Sequence, residues 1–269
     1  MPKINTFYFT LIFAIIAMFG LYLMLHFSCF GVSNGNGGRF CEAAREALIL
    51  QPSNSWSNLG FVFFGLLAAW QITYRKDSIV LHNAFSKSTF FAKFLTSMMV
   101  LLGPCSMAMH ATETNLGGLF DMNSMYLIAG FMVSYASVRY FKLNHVYFVL
   151  IYAICMLFGN VSPMAHHFIN IDFFLGNLAF GFMCFLGVLI EFLNIYKYKV
   201  HVEKRYIVYC VLSFVIAFII WNFGVDGSCF CDPYSPFQLH AVWHILCALA
   251  VYFLFRFYTS EDETKTSIR

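Results

Sequence analysis

Five side chains in this sequence have the types and spacings needed to build a hydrolytic metal site. His240 and His244 stand four residues apart in QLHAVWH, His110 follows Ser106 by four in GPCSMAMHATET, and Asp121 opens FDMNSMY. Residues four apart share one face of a helix. Each of these motifs touches a strongly apolar run, where an imidazole is costly unless its ring nitrogens find partners that lipid cannot supply. Three neutral imidazoles suit zinc and leave its fourth position for water, the arrangement of a catalytic rather than a structural site. Such a metal makes hydroxide available near neutral pH. Asp121 is then placed to accept a proton from the water and return one to the leaving group. Ser106 is placed to hydrogen-bond the oxygen on which negative charge develops. Taken singly, each residue also has a plainer reading. A histidine can be a satisfied core residue, Asp121 can favour a helix amino terminus, and Ser106 can bond back to its own helix.

The elements that must position these residues are membrane spans. The chain has 269 residues, of which 60% are hydrophobic and 11% charged, about half the charged share of an ordinary soluble domain. Apolar stretches long enough to cross about 30 Å of hydrocarbon recur at roughly 7–28, 55–74, 91–110, 121–140, 146–163, 173–194, 206–223 and 240–257. The expected fold is therefore an all-α polytopic transmembrane helical bundle with short connections and no soluble module. The first stretch is longer than a signal-peptide core and lacks a small-x-small cleavage site, so it reads as a retained anchor. A net charge of +3 gives no reason to invoke nucleic acid.

Lys and Arg orient the bundle. With a cytoplasmic amino terminus, fourteen of the sixteen basic residues fall on one side, and only Arg39 and Arg45 fall on the other. Positive charge accumulates inside, so both termini read as cytoplasmic and the loops near 30–54, 111–120, 164–172 and 224–239 as outside. The helix entries and exits carrying Ser106, His110, Asp121, His240 and His244 then share one depth, toward the non-cytoplasmic face. Five cysteines (Cys105, Cys155, Cys184, Cys210, Cys247) lie within apolar segments as small hydrophobes. The other four, Cys29, Cys41, Cys229 and Cys231, sit at or in outer loops, where oxidation is possible and three pairings exist. A bond from Cys41 to Cys231, tying the first outer loop to the last, is the favoured one.

QPSNSWSNLGFVFFG, GPCSMAMHATET, FDMNSMY and CDPYSPFQLHAVWHIL, taken in order, resemble the alkaline ceramidase family. That family sits within a wider group of seven-helix membrane hydrolases that includes the adiponectin and progestin receptors. The resemblance spans about residues 40–258, a seven-helix core, leaving 1–39 as an additional amino-terminal helix with its outer loop and 259–269 as a polar cytoplasmic tail. It implies a zinc-dependent amidase that splits ceramide-like sphingolipids into a fatty acid and a sphingoid base. His110, His240 and His244 match the zinc ligands, one ion in all, and Ser106 and Asp121 match the positions beside the metal. The family also has an acidic calcium site before its first core helix. Here the matching stretch keeps Glu42 but has Arg39, Ala44 and Gln51 where oxygen ligands belong, so calcium is not expected. Asn54, Trp56 and Asn58 read instead as residues that fix the helix entry.

Two other readings stay open: a lipid-sensing receptor holding zinc structurally, and a hydrolase of another lipid amide or ester. The lipid partner would enter sideways between helices, with Met107, Met109, Met122 and Met125 near its path or simply packed. His166 and His167 are adjacent and point apart, which reads as a loop feature rather than a metal site. Asp172 and Asp226 read as solvated. Oligomeric state is not legible.

Overall fold

The protein is described by a computed structural model over residues 5–35, 39–75, 83–162 and 175–262. Among these residues the regular elements are helices: α1 (Thr6–His26), α2 (Pro52–Ser57), α3 (Leu59–Tyr74), α4 (Ala84–Lys87), α5 (Thr89–Thr112), α6 (Asn115–Tyr140), α7 (His145–Val161), α8 (Leu175–Tyr198), α9 (Lys204–Phe223) and α10 (Leu239–Thr259). Each of the eight apolar stretches of the sequence contains a helix among the described residues, and the protein is a helical membrane bundle. Among the described residues six helices are long and apolar enough to cross a membrane: α1, α5, α6, α8, α9 and α10. The 55–74 stretch is divided, because α2 ends at Ser57 and α3 starts at Leu59. The 17-residue α7 is apolar as well and is the shortest of the long helices after α3. His166, His167 and Asp172 lie outside the described residues.

The chain forms two compact units, and the boundary falls inside α6. The first runs to Asp121 and resumes over Val202–Asp262; the second begins at Met122 and runs to His201. In the first unit α5 packs against α3, α1 and α2, while α10 packs against α9, α3 and α2. Two-thirds of the most apolar part of α5 is buried, against about a tenth of that of α9, so α5 is a central helix and α9 a lipid-facing one. Large apolar side chains point outward along the peripheral helices, among them Ile15, Phe19, Val211 and Ile219. Hydrocarbon solvates them, so exposure carries no hydrophobic cost there.

Close approach of the central helices depends on small residues. A Cβ at Gly103 of α5 would come within 2.7 Å of Val62 Cγ2 and 3.0 Å of the Asn58 carbonyl. The additional helix α1 is seated on α5 by a buried hydroxyl pair, Thr10–Thr96 at 2.8 Å. Its far end joins an apolar cluster of Leu21, Phe30, Met107 and Ala108, with Leu116 and Phe120 packed alongside. Met107 is thereby assigned a packing role against α1.

In the second unit the core is Tyr126, Ala129 and Val133 of α6 with Cys155 of α7 and Met183 of α8. Arg139 Nη1 donates to both carboxylate oxygens of Glu191 at 2.8 Å, and its guanidinium lies 4.9 Å from the Tyr135 ring centre. A charge at the end of a membrane helix is tolerable when paired in this way. Asn194 adds a further tie by donating to the Ala136 carbonyl at 2.9 Å.

Candidate metal centre

α5 crosses the first unit and stops at Thr112 because Glu113 adopts a left-handed backbone, φ 49° and ψ 39°. That conformation costs a residue with a Cβ about 1–2 kcal/mol. The last carbonyls of α5 are not left to solvent. Leu50 N–H donates to the Ala111 carbonyl at 3.1 Å and Gln51 N–H to the His110 carbonyl at 3.0 Å. The segment entering α2 is thus fastened along the end of the helix that bears His110. Pro52 occupies the first turn of α2, where its missing N–H costs nothing. Glu42 supplies the cap that Gln51 does not: its two carboxylate oxygens accept from Ser53 N–H at 2.9 Å and Asn54 N–H at 2.8 Å. Asn58 donates to the Asn54 carbonyl at 2.9 Å, whereas Trp56 is half exposed, so the helix entry is fixed by Glu42 and the asparagines.

α10 is positioned from the opposite end of the sequence. Gln238 Nε2 donates to the carbonyls of Asp232 at 2.9 Å and Ser235 at 2.8 Å, holding the loop that delivers the helix. The Cys41–Cys231 disulfide, with Cα atoms 5.5 Å apart, ties that loop to the segment before α2, as favoured from the sequence. Cys29 and Cys229 are free and exposed. The residue beside Cys41 exploits this tether. Phe40 stacks on His240 at a centroid distance of 3.9 Å and meets His110 edge-on at 5.6 Å.

These two supports bring the three histidines together. Ring centres are 4.9 Å apart for His110–His240, 5.0 Å for His110–His244 and 4.5 Å for His240–His244. One ring nitrogen from each lies within 4.8 Å of the other two, and all three residues are buried. Ligands on a tetrahedral ion at about 2.0–2.1 Å would be about 3.3 Å apart, so modest side-chain rotation closes the set on a metal. The outer nitrogens are held in place. His110 Nδ1 pairs with Gln51 Oε1 at 2.8 Å, and His244 Nδ1 with the Ser57 hydroxyl at 2.8 Å. Ser57 Oγ also donates to the Asn54 carbonyl at 2.8 Å, which leaves its lone pair toward the imidazole. His240 Nδ1 has no hydrogen-bond partner among the described residues. A cluster of neutral buried imidazoles, one of them short of a partner, fits a divalent cation that accepts nitrogen ligands.

Ser106 is buried one turn below His110 on α5 and is hydrogen-bonded to the side chain of Asp121. Asp121 reaches it because α6 starts close against the end of α5. The Thr114 hydroxyl accepts from Gly117 N–H at 3.0 Å as the helix cap, and Gly117 lies against the Ala108 carbonyl with no room for a Cβ. The five residues read from the sequence therefore gather in one unit, as a histidine triad and a serine–aspartate pair. Four more were not read as site residues: Phe40, Gln51, Ser57 and Glu113. Their types are unremarkable in a linear reading, and only HATET, where an acid follows His110 by three, contained a hint of Glu113.

The sequence model of the ceramidase family matches residues 39–267, which contain all of these side chains. No individual curated protein matches the chain. A family match over that much of the sequence fixes its membership: this is a member of the ceramidase family, whose chemistry is hydrolysis of a lipid amide.

Proposed function

We propose that the protein is an integral-membrane amidase that binds one zinc ion through His110, His240 and His244 and cleaves ceramide-like sphingolipids to a fatty acid and a sphingoid base. The convergence of three buried imidazoles from α5 and α10 is the observation that supports it most directly. Zinc bound there would supply Lewis acidity and a water acidic enough to attack near neutral pH. Ser106 and Asp121 divide the remaining work. The Asp121 carboxylate takes one proton from the attacking water and later delivers it to the amide nitrogen, which leaves as a free amine. Ser106 turns its single hydroxyl proton from Asp121 to the substrate carbonyl oxygen as that oxygen gains charge. Phe40, stacked on His240, keeps bulk water away from one side of the cluster. The sum is one amide and one water converted to one acid and one amine, with Asp121 ending as it began.

The excess of Lys and Arg on one side supports both termini in the cytoplasm and a site toward the non-cytoplasmic face. The test uses purified protein in lipid nanodiscs. Metal analysis is expected to find about one zinc per chain, lost in His240→Ala, together with fatty acid released from ceramides of varied chain length. Zinc without any release from ceramides would favour a receptor with a structural metal, and undiminished zinc in His240→Ala would overturn the ligand set.

A further inference from the structure

The side chain of Gln51 is fully buried between His110 and Glu113, and its hydrogen bonds leave its amide only one orientation. Nε2 faces two groups that can only accept, Glu113 Oε1 at 2.8 Å and the Glu42 carbonyl at 3.1 Å. Turning the amide over would set its oxygen against a carboxylate and a carbonyl and abandon both hydrogen bonds in a buried site, where unmet polar groups are costly. Oε1 must therefore face His110 Nδ1 at 2.8 Å, and it takes a second, longer contact from Asn54 Nδ2 at 3.4 Å. An amide oxygen only accepts, so His110 Nδ1 is the atom that donates. The neutral ring then carries its proton on Nδ1 and keeps the Nε2 lone pair for a ligand.

We infer that Glu113–Gln51–His110 is a positioning relay, in which Glu113 orients the Gln51 amide and Gln51 selects the metal-binding tautomer of His110. The inference rests on the metal reading above and adds two residues to it. Glu113 is suited to the outer position because its own geometry is fixed from three sides. Its left-handed backbone turns the side chain back across the end of α5. Its carbonyl accepts from Asn34 N–H at 3.2 Å, and its second carboxylate oxygen receives the Ser33 hydroxyl at 3.4 Å. Ser33 and Asn34 belong to the segment that follows α1, before the stretch matched by the family model. The amino-terminal addition is thus linked to a ligand through two side chains. Outer partners of ligating histidines typically carry 10–100-fold in metal affinity.

The experiment measures zinc affinity by chelator competition and the His110 tautomer by nitrogen-15 histidine spectra, on the full chain in nanodiscs. Gln51→Leu is expected to weaken zinc about 10–100-fold and to abolish the Nδ1–H preference in metal-free protein. Glu113→Leu, which leaves the α2 entry intact, is expected to weaken zinc less and to populate both tautomers. Exchanging the pair, Gln51→Glu with Glu113→Gln, reverses the inner hydrogen bond and keeps an acceptor for His110 but gives up the donor to the Glu42 carbonyl, so part of the affinity should return. Parental affinity in Gln51→Leu, or an Nε2–H tautomer in the parent protein, would overturn the relay. A parent protein that takes up no zinc would instead sink the metal reading, while its His110 tautomer would still decide the relay.

Discussion

Replacing Gly117 by alanine should separate the proposed metal binding from the proposed turnover. A Cβ at this position meets the Ala108 carbonyl oxygen and the Thr112 Oγ1 at 2.7 Å and Met109 Cα at 2.9 Å. Ordinary contact begins near 3.4 Å, so α6 must withdraw from α5 by about 0.7 Å (3.4 less 2.7). Two of the three obstacles are backbone atoms in a central helix, which cannot rotate aside. Overpacking of this kind costs about 1–3 kcal/mol, enough to lower the thermal midpoint without abolishing folding. Asp121 lies one turn further along α6 and moves with it, stretching its hydrogen bond to Ser106. A displacement approaching 1 Å at a reacting group can reduce turnover by about 100-fold. His110, His240 and His244 stand on α5 and α10, so zinc content should stay at the parental level. The assay pairs kcat for ceramide hydrolysis with metal analysis of the same preparation. Gly117→Ala with parental kcat would refute the account of how α6 delivers Asp121, and parallel loss of zinc would show that the α5–α6 contact supports the histidines as well.

Asp121→Asn should retain zinc and lose about 10²–10⁴ in turnover, because the amide preserves shape but cannot take the proton; retained activity would remove Asp121 from the reaction. Cys231→Ser should lower the thermal midpoint by an amount consistent with about 2–5 kcal/mol and shorten zinc retention, since the Cys41 tether also carries Phe40 to the histidines. Unchanged zinc off-rates in that variant would separate the disulfide from the site.

The helices and the triad were largely legible in the sequence because both depend on local regularities. Apolar length reveals a span, and a four-residue interval puts His240 and His244 on one face whatever the tertiary structure. Asp121 was legible for a related reason, since the start of one helix and the end of the previous one share a depth. The division of the second stretch at Asn58 was hidden, because its apolar residues continue beyond the point where α2 ends. Gln51 and Glu113 were hidden more deeply. Their roles come from residues 33–34, 42, 51, 110 and 113 meeting in space, and no periodicity records such a meeting. Gln51 even counted in the sequence as a missing oxygen ligand, although its buried amide is fully used. The same limit applies to Phe40, whose place over His240 depends on a bond between positions 190 residues apart.

Two of the three imidazoles stand on α10 and one stands on α5. During synthesis the cluster stays incomplete until α10 has entered the bilayer, long after α5. A product that ends between His110 and Cys231 holds a single histidine of the three and half of the disulfide. A cation held by all three histidines can therefore be bound only after α10 has been inserted, and its presence reports that both helices have met.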